Sequence, residues 1–253
     1  MYFVFLLGMA GSGKSLLTAS LQEWLKLNEQ NVITLNLDPG ALRLPYAPDV
    51  DVREYIDINQ LMENYGLGPN GALIVAADLI GDHLEEIKEA IEDTNAEIVL
   101  VDTPGQIELF AFRESGPFIS SMISEDPKAL LFLLDAPFCR NPLNYVSSVY
   151  LAMAVYTRIL IPQVYAFTKV DLVSQEELNA MLSWSESVEE LEYAIETSLG
   201  KNSASIGKEL ARALDRSGLV LEPIPTSAKE NIGLIDLWAE ITRTLTGGEE
   251  LRP

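Results

Sequence analysis

Residues 8–15 of this chain read Gly-Met-Ala-Gly-Ser-Gly-Lys-Ser and match the pattern G-x-x-x-x-G-K-[ST]. An apolar, strand-type run at 2–7 comes directly before this loop, and apolar residues at helical spacing follow it. The glycines let backbone N–H groups curl around a phosphate, because no Cβ stands in the way. The N-terminus of the following helix adds partial positive charge, and Lys14 adds a full one. The sequence therefore predicts a loop that binds the phosphates of a nucleotide.

The predicted phosphate contacts lie in this loop and in the first turn of the helix after it. They are Gly11, Ser12, Gly13, Lys14, Ser15 and Leu16. Ser15 has a second predicted role, because the hydroxyl at this position of a phosphate-binding loop is a ligand for Mg²⁺. Together these residues predict a nucleoside phosphate bound with its metal ion.

Short apolar runs alternate with longer helical patterns along the chain, which is typical of a parallel sheet with helices on both faces. Strands are predicted at 2–7, 31–37, 97–102, 128–135, 161–167 and 219–224. Helices are predicted near 14–28, 52–65, 71–93, 142–160, 174–199 and 233–246. The predicted fold class is therefore α/β, a three-layer P-loop NTPase with a mainly parallel central sheet and helical insertions.

Two segments are longer than an ordinary connection between strands, one at about 39–96 and one at about 172–218. No low-complexity tract and no linker rich in proline and glycine divides the chain. We therefore expect a single P-loop domain over residues 1–253 with two insertions, the second of them acidic and helical.

The composition disfavours several function classes. The formal net charge is −21, from 38 acidic and 17 basic residues, so direct contact with nucleic acid or an anionic membrane is not expected. The single cysteine, Cys139, has no partner for an internal disulfide, and with the single histidine, His83, it leaves no zinc site of the usual kind. No apolar run approaches the roughly 18 residues of a membrane span. These observations predict a protein of the reducing cytoplasm.

A buried strand is predicted to end at Asp102 and to continue into the turn Thr103-Pro104-Gly105-Gln106. A carboxylate at the end of a strand beside the phosphate loop supports Mg²⁺ in P-loop hydrolases. We expect Gly105 to leave its N–H open to a γ-phosphate and the amide of Gln106 to orient an attacking water. As an isolated string this is a common turn, and it gains meaning only because a phosphate-binding loop precedes it.

The turn after the strand at 161–167 reads Thr168-Lys169-Val170-Asp171. A fixed carboxylate accepts two hydrogen bonds from the N1–H and the amine of guanine, and adenine does not offer that pair. Asp171 therefore predicts a guanine reader, since the wrong base would leave its carboxylate unpaired. Lys169 would lay its aliphatic stem along the plane of the base.

A further stretch, Ser227-Ala228-Lys229, follows the last predicted strand, and its backbone N–H groups are expected at the guanine oxygen. Taken alone, this tripeptide carries almost no information. The informative feature is the order of four elements, which run from the phosphate loop through the Asp102 turn and the base-reading turn to this stretch. That order is the one expected of a GTPase.

Two further motifs mark a subgroup. In Asn36-Leu37-Asp38-Pro39-Gly40 the carboxylate of Asp38 stands at the end of the second predicted strand, where Mg²⁺ and the γ-phosphate are expected. The tripeptide Gly68-Pro69-Asn70 lies between the second and third nucleotide motifs, at a place that composition alone assigns to a turn. With these residues in this order, essentially the whole chain resembles the GPN-loop GTPases, and among them the single-paralogue archaeal type.

The resemblance implies a dimer, here a homodimer, in which each subunit inserts its Gly-Pro-Asn loop into the nucleotide site of the other. It implies GTP or GDP as ligand, Mg²⁺ as cofactor, and a role for each matching residue. By this resemblance, Lys14 and Ser15 bind phosphate and metal, and Asp102 and Asp38 support the metal. Asp38 and Gln106 position the attacking water, with Glu108 as a weaker candidate. Asn70 reaches across the dimer, and Lys169 and Asp171 read guanine. Because phosphoryl transfer needs positioning and charge more than covalent chemistry, a polar group from a partner can replace an arginine.

Two positions depart from related nucleotide hydrolases. Thr168 stands where many GTPases have asparagine, so we expect the side-chain amide that ties the base-binding loop to its neighbours to be missing. Met9 stands where related dimeric ATPases carry a signature lysine, which leaves the trans-acting role to Asn70.

Residues 172–200 contain seven acidic side chains and no basic one. Ser174 and Ser187 each begin a capping-box pattern, so two helices are predicted to start there. The acidic face is either simply solvated or a docking surface for a basic partner. Charge reversal at Glu189, Glu190 and Glu192 would separate the two alternatives.

Three functions stay open at this stage. The first is a GTPase that activates itself by dimerising. The second is a nucleotide-gated binding clamp that acts on a protein client such as RNA polymerase subunits, because eukaryotic relatives are associated with polymerase assembly and nuclear import. The third is an ATP-dependent assembly factor or kinase on the same P-loop scaffold, which the turn at 168–171 disfavours.

Overall fold

The computed structural model describes residues 1–200, 204–218 and 221–247 and is built around a seven-stranded sheet with parallel pairing throughout. The strands are β1 (Tyr2–Gly8), β2 (Val32–Asn36), β3 (Val50–Asp51), β4 (Ile98–Asp102), β5 (Lys128–Asp135), β6 (Gln163–Thr168) and β7 (Ile224–Pro225). Their order across the sheet is β3-β2-β4-β1-β5-β6-β7, which places β1 at the centre. This architecture confirms the predicted α/β class and its parallel sheet.

Helices connect these strands. They are α1 (Lys14–Leu27), α2 (Ile58–Tyr65), α3 (Pro69–Leu79), α4 (Leu84–Asp93), α5 (Ile107–Ala111), α6 (Ser115–Met122), α7 (Ala136–Cys139), α8 (Pro142–Ile159), α9 (Gln175–Glu186), α10 (Val188–Leu199), α11 (Ser205–Arg216) and α12 (Leu234–Thr246). Single 3₁₀ turns lie at Val52–Glu54, Ile80–His83 and Val170–Leu172. Within the part of the chain that the structure describes, no helix combines the length and apolar character needed to cross a bilayer.

Both faces of the sheet are buried, because alternate residues of β1 contribute to two separate cores. Phe3, Phe5 and Leu7 pack on one face, and Val4 and Leu6 pack on the other. The face of Val4 and Leu6 is covered by α1 and α12, and the opposite face by helices that include α3, α4 and α8. A strand buried on both sides is apolar at nearly every position, which explains why the central strands are continuous apolar runs in the sequence.

The predicted helix at 71–93 is two helices. It begins earlier, at Pro69, and the 3₁₀ turn Ile80–His83 separates α3 from α4. Gly81 lies in that turn, and a Cβ at this position would make only an ordinary contact of 3.6 Å with the ring of Phe118 from α6. The interruption is therefore explained by the low helix propensity of glycine and not by a lack of space.

The structure adds elements that the sequence analysis does not predict, namely α5, α6, α7, α11 and the two-residue strand β3. In α11 the helical pattern is weakened by Gly207, yet the missing side chain lets this helix approach Leu143 and Ile195 closely. Residues 219–220 of the last predicted strand lie outside the described residues, and β7 itself spans only Ile224–Pro225.

The two predicted helix starts in the acidic segment are both present. Ser174 and Glu177 form a complete capping box at α9. Ser187 caps α10 by accepting a hydrogen bond from the N–H of Glu190. Each cap satisfies a backbone donor that would otherwise lack a partner at the helix end.

The acidic side chains of α10 are not all free, because α11 lies beside this helix and brings basic residues to it. Arg212 Nε donates to Glu192 Oε1 at 2.6 Å, and Lys208 Nζ lies 3.6 Å from Glu192 Oε2. The pairing holds the pKa of Glu192 below its usual range, with the hydrogen bond from Arg212 as the largest cause. Glu189 and Glu190, in contrast, are exposed. The acidic face is therefore smaller than the sequence of 172–200 indicates.

Candidate nucleotide-binding site

The predicted site residues come from loops that meet at one edge of the sheet. The phosphate loop follows β1, Asp38 follows β2, Asp102 ends β4 and Thr168 ends β6. Because the strands are parallel, their carboxyl ends share one edge, and the register places Asp102 level with Asn36 and with Leu6. Motifs that are far apart in sequence therefore become neighbours.

The phosphate loop turns sharply into the amino end of α1. Gly11 and Gly13 have φ values of 77° and 96°, in the left-handed region that favours glycine. Gly13 stands directly before α1, so the first N–H groups of that helix face the same loop. Leu16 is exposed, whereas Ser12 is fully buried and its Oγ has no hydrogen-bond partner among the described residues.

Lys14 lies deep in this loop, with only 5% of its surface exposed. Its ammonium group donates to the carbonyl oxygens of Gly8 at 3.0 Å, Met9 at 3.2 Å and Gly105 at 3.4 Å. Burial lowers the pKa of Lys14, and the negative charges of Asp102 and Asp38 oppose that shift. The lysine thus joins the phosphate loop to the turn after β4.

Asp102 is the buried carboxylate that the sequence assigns to the metal. Its Oδ2 accepts a hydrogen bond of 2.9 Å from the hydroxyl of Tyr46, and its Oδ1 is buried without a hydrogen-bond partner among the described residues. Burial raises the pKa of Asp102, and the nearby hydroxyls of Ser15 and Tyr46 and the charge of Lys14 oppose the rise. An unpaired carboxylate oxygen beside a serine hydroxyl fits the oxygen ligands that Mg²⁺ prefers.

Asp38 lies across the site from Asp102, and both of its carboxylate oxygens are engaged. Oδ1 accepts from the N–H of Gly40 at 2.9 Å, and Oδ2 accepts from the N–H of Gly105 at 3.1 Å. The expectation that the Gly105 N–H stays open is therefore wrong for this arrangement. The physical reason is that Asp38 reaches across from a different loop, which sequence spacing does not reveal.

A partly buried ion pair between Asp51 and Arg53 holds the loop that carries Asp38. Arg53 makes paired hydrogen bonds to both oxygens of Asp51 and donates to the carbonyl of Ala41 at 2.7 Å. Asn36 donates to Asp51 Oδ1 at 2.9 Å and accepts from the N–H of Asp38 at 3.0 Å. The main chain on both sides of Asp38 is thus anchored to the edge strand β3.

Three predicted catalytic residues are exposed. Gln106 and Glu108 lie at the start of α5 next to Gly105, and their side chains make no hydrogen bond within the described residues. Asn70 is exposed at the start of α3, where Gly68 caps the helix and Pro69 occupies its first position. Asn70 makes no hydrogen-bonded contact with the phosphate loop of its own chain.

The base-reading turn is tied to the phosphate loop through Thr168. Its hydroxyl donates to the carbonyl of Ser12 at 2.8 Å and lies 3.4 Å from the carbonyl of Leu134. Thr168 has no side-chain amide, as expected, but its hydroxyl ties the turn to the phosphate loop. Sequence comparison of residue types alone does not show this, since the partner is a backbone carbonyl.

Asp171 is exposed and is oriented by Ser227. The hydroxyl of Ser227 donates to Asp171 Oδ1 at 2.6 Å. The N–H of Ser227 donates to the carbonyl of Ile232 at 3.1 Å, so this N–H is not open to a guanine oxygen as expected. The N–H groups of Ala228 and Lys229 are not engaged by backbone groups of the described residues.

Asp135 is a site residue that the sequence analysis does not single out. It ends β5 in register with Thr168, and its Oδ2 accepts from Lys169 Nζ at 2.7 Å. Its other oxygen is buried without a hydrogen-bond partner in the described residues. The signal was available, because Asp135 follows a buried apolar run in the same manner as Asp102. Tyr46 is also missed, and its position in a loop offers no such signal.

Residues 6–247 match the family described as "Conserved hypothetical ATP binding protein". Among curated proteins, the chain is 35% identical over 176 residues to a GPN-loop GTPase of Pyrococcus abyssi, which covers 69% of each protein. It is 28% identical over 241 residues to GPN-loop GTPase 1 of Dictyostelium discoideum, which covers 94% of this chain and 60% of the relative.

GPN-loop GTPase 1 of Saccharomyces cerevisiae is 32% identical over 169 residues, which covers 66% of this chain and 44% of the relative. The chain thus spans about half the length of the curated relatives of this type. Among solved structures, the apo form of a GTPase from Pyrococcus abyssi superimposes with a TM-score of 0.82 at 28% identity, over 95% of this chain and 96% of that one.

Proposed function

Because this chain belongs to the GPN-loop GTPase family, we propose that it binds GTP and hydrolyses it to GDP and phosphate. The observation that carries the proposal is the meeting of Lys14, Asp102 and Asp38 at one sheet edge. The base-reading turn is attached to the same phosphate loop through Thr168, so phosphate and base would be held by one connected unit.

In this reaction a water oxygen bonds to the γ-phosphorus, and the bond from that phosphorus to the β,γ-bridging oxygen breaks. Lys14 and the N–H groups of the phosphate loop would stabilise the charge on the phosphate oxygens. Asp38 accepts from the N–H of Gly105, and Gln106 follows Gly105 in the chain, so these two side chains would position the water. Glu108 lies two residues further along and is the weaker candidate.

Mg²⁺ is part of the proposal. Ser15 and Asp102 would hold the ion, with Asp38 as the third supporting group. The unpartnered buried oxygen of Asp102 supports this assignment, because a buried carboxylate oxygen without a hydrogen bond is costly unless a ligand satisfies it. A bound ion would neutralise charge on the β- and γ-phosphate oxygens.

The first experiment measures phosphate release from Mg·GTP with and without a large excess of ATP. The proposal expects slow turnover that ATP does not suppress, because Asp171 would accept the N1–H and amine of guanine and adenine lacks that pair. Suppression by ATP, or turnover of ATP in place of GTP, would contradict the guanine reading. Those outcomes would favour the ATP-dependent alternative; the description of the matching family model mentions ATP binding.

The proposal includes a homodimer in which Asn70 of one subunit reaches the nucleotide of the other. Two features support it. Gly68, Pro69 and Asn70 are exposed at the tip of α3, and Asn70 makes no hydrogen bond to the phosphate loop of its own chain. Apolar side chains near α3 and α6 are also exposed, with Phe118 at 49% and Met122 at 49%. Exposed apolar surface of this kind is suited to a protein interface.

A second candidate function is a nucleotide-gated clamp that acts on a protein client. The exposed carboxylates of Glu189 and Glu190 favour it, because they offer a basic partner uncompensated negative charge. RNA polymerase subunits are the client class that the family resemblance suggests. Charge reversal at Glu189 and Glu190 should weaken client capture, and reversal at Glu192 should in addition disturb α11. Unchanged capture in the double variant would remove the acidic face from this role.

The archaeal character and the cytoplasmic location inferred from the sequence remain predictions. Expression of the tagged chain in its source cell, followed by fractionation, tests the location. Purification of the tagged chain from the same cell tests the homodimer and the client together.

A further inference from the structure

The main-chain N–H of Gly105 has a charged partner. It donates to Oδ2 of Asp38 at 3.1 Å, across 67 positions of sequence. Hydrogen bonds from an N–H to a carboxylate are stronger than those between neutral groups. A γ-phosphate oxygen bound between the phosphate loop and the turn after β4 needs this same N–H, and each backbone N–H carries one hydrogen to donate.

Lys14 is shared in the same way. Its ammonium group donates to the carbonyls of Gly8, Met9 and Gly105, and the charge of Asp38 stabilises its protonated form. Asp38 and a γ-phosphate would therefore draw on the same cation as well as on the same N–H. Both are anions, so each disfavours the presence of the other at this place.

The position of the Asp38 carboxylate is built into the fold. Its Oδ1 accepts from the N–H of Gly40 at 2.9 Å, and its own N–H donates to Asn36 Oδ1 at 3.0 Å. Asn36 is in turn bonded to Asp51, whose partner Arg53 holds the carbonyl of Ala41. The side chain is thus oriented toward Gly105 by contacts on both sides of it in the chain.

We propose that Asp38 competes with the γ-phosphate for the Gly105 N–H and is therefore a specificity-determining residue that lowers the affinity for GTP relative to GDP. GDP ends at the β-phosphate, so it does not displace the carboxylate. GTP must displace it, and the freed carboxylate is then available to the attacking water. This inference rests on the proposed function, because it assumes that the phosphate loop binds guanine nucleotides.

The test compares the dissociation constants of GDP and of the β,γ-imido analogue of GTP by calorimetry, with EDTA present so that metal support by Asp38 does not enter. In Asp38→Ala the dissociation constant of GDP divided by that of the analogue should rise about tenfold. This is the effect of removing one charge-assisted hydrogen bond to Gly105 and the repulsion between the Asp38 carboxylate and the γ-phosphate. Asp38→Asn keeps an acceptor for Gly105 without the charge, so its ratio should rise less. The asparagine variant also tests the idea if the alanine variant does not fold.

Glu54→Ala is the matched control, since Glu54 is an exposed acid beside Arg53 that does not contact Gly105. Its ratio should equal that of the unaltered protein. An unchanged or lowered ratio in both Asp38 variants, with guanine nucleotides still bound, overturns the inference and leaves the proposed function standing. Failure of the unaltered protein to bind either guanine nucleotide overturns both.

Discussion

At the scale of single residues, the site contains buried groups of opposite charge, Lys14 and Asp102, that stabilise each other's charged form. Burial lowers the pKa of Lys14 and raises that of Asp102, and the opposite charge of each opposes the shift of the other. Removing one of the two would leave the other as a buried charge with less opposite charge nearby, which costs more than losing an exposed ion pair. The hydroxyl of Tyr46 belongs to the same unit, because burial and the Asp102 carboxylate raise its pKa and keep it a donor.

The ion pair of Asp51 and Arg53 yields a prediction on pH dependence. Burial alone would raise the pKa of Asp51, but hydrogen bonds from Arg53 and Asn36 outweigh it and hold the pKa below its usual range. A carboxyl with a lowered pKa contributes stability above its unfolded pKa of about 4, and loses that contribution as pH falls through the folded value. Arg53→Met should therefore cost about 1–2 kcal/mol of unfolding free energy at neutral pH, and less below about pH 4.

Urea unfolding of the unaltered protein and of Arg53→Met, at neutral pH and below about pH 4, measures the difference in unfolding free energy. Arg43→Met serves as the control, because Arg43 is exposed, and it should leave stability unchanged. A loss in Arg53→Met that stays constant with pH would show that the arginine acts through packing and not through the carboxylate.

Thr168 yields a prediction on nucleotide affinity. Thr168→Val keeps the shape of the side chain and removes the donor to the carbonyl of Ser12. Loss of a buried hydrogen bond of about 1 kcal/mol should weaken GDP binding about fivefold, because the base-reading turn is no longer tied to the phosphate loop. Thr168→Ser keeps the hydroxyl and should bind almost as well as the unaltered protein. Equal affinities of the valine and serine variants, measured by titration of fluorescent GDP, would refute the tie.

At the scale of elements, glycines in the first turns of two short helices, α3 and α6, have different packing. Gly116 lies in the first turn of α6, and a Cβ there would overlap the carbonyl oxygen of Phe110 in α5. Gly71 lies in the first turn of α3, where a Cβ would make an ordinary contact of 3.4 Å with Leu67. The same residue type thus has opposite roles in two helices of the same layer.

Gly116→Ala and Gly71→Ala form a matched pair of stability variants. Gly116→Ala should cost about 3 kcal/mol or prevent folding, because backbone atoms must move to admit the methyl group. Gly71→Ala should be neutral or stabilise by up to about 1 kcal/mol, because alanine loses less backbone entropy in a helix. Thermal unfolding of the two purified variants measures both effects. A stable Gly116→Ala variant would mean that α5 and α6 separate easily.

At the scale of the whole molecule, the proposed homodimer would complete each nucleotide site with a residue from the other copy of the chain. Asn70 is exposed at the tip of α3 and does not belong to the phosphate-binding loop around Lys14 of its own subunit. Asn70→Ala should therefore slow GTP hydrolysis, by about tenfold or more if the amide contacts the transition state, and leave nucleotide affinity nearly intact. Steady-state phosphate release and GDP titration separate the two quantities.

A control for the dimer is dilution, since turnover per subunit of the unaltered protein should fall as the dimer dissociates. Turnover of Asn70→Ala equal to that of the unaltered protein at every concentration would remove Asn70 from the mechanism. The test does not depend on the order of GTP binding and dimerisation.

Local sequence patterns were enough to predict the α/β class, the phosphate loop, and the strands that lead to Asp38, Asp102 and Thr168. These features are encoded by neighbours in the chain: a buried strand is a continuous apolar run, and a tight phosphate loop requires glycine. The sequence also identifies Gly68-Pro69-Asn70 as a motif of the family it resembles, but it predicts a turn there and not the start of a helix. The break between α3 and α4 lies at Gly81, and the presence of α11 depends on packing around Gly207.

The partners of the site residues become visible only in the folded chain. Asp38 reaches Gly105, Tyr46 reaches Asp102, and Thr168 reaches Ser12, across 67, 56 and 156 positions of sequence. These contacts join loops at the ends of different strands, so they follow from the order β3-β2-β4-β1-β5-β6-β7. That order is set by the packing of helices on both faces of the sheet, and residue spacing along the chain carries no record of it.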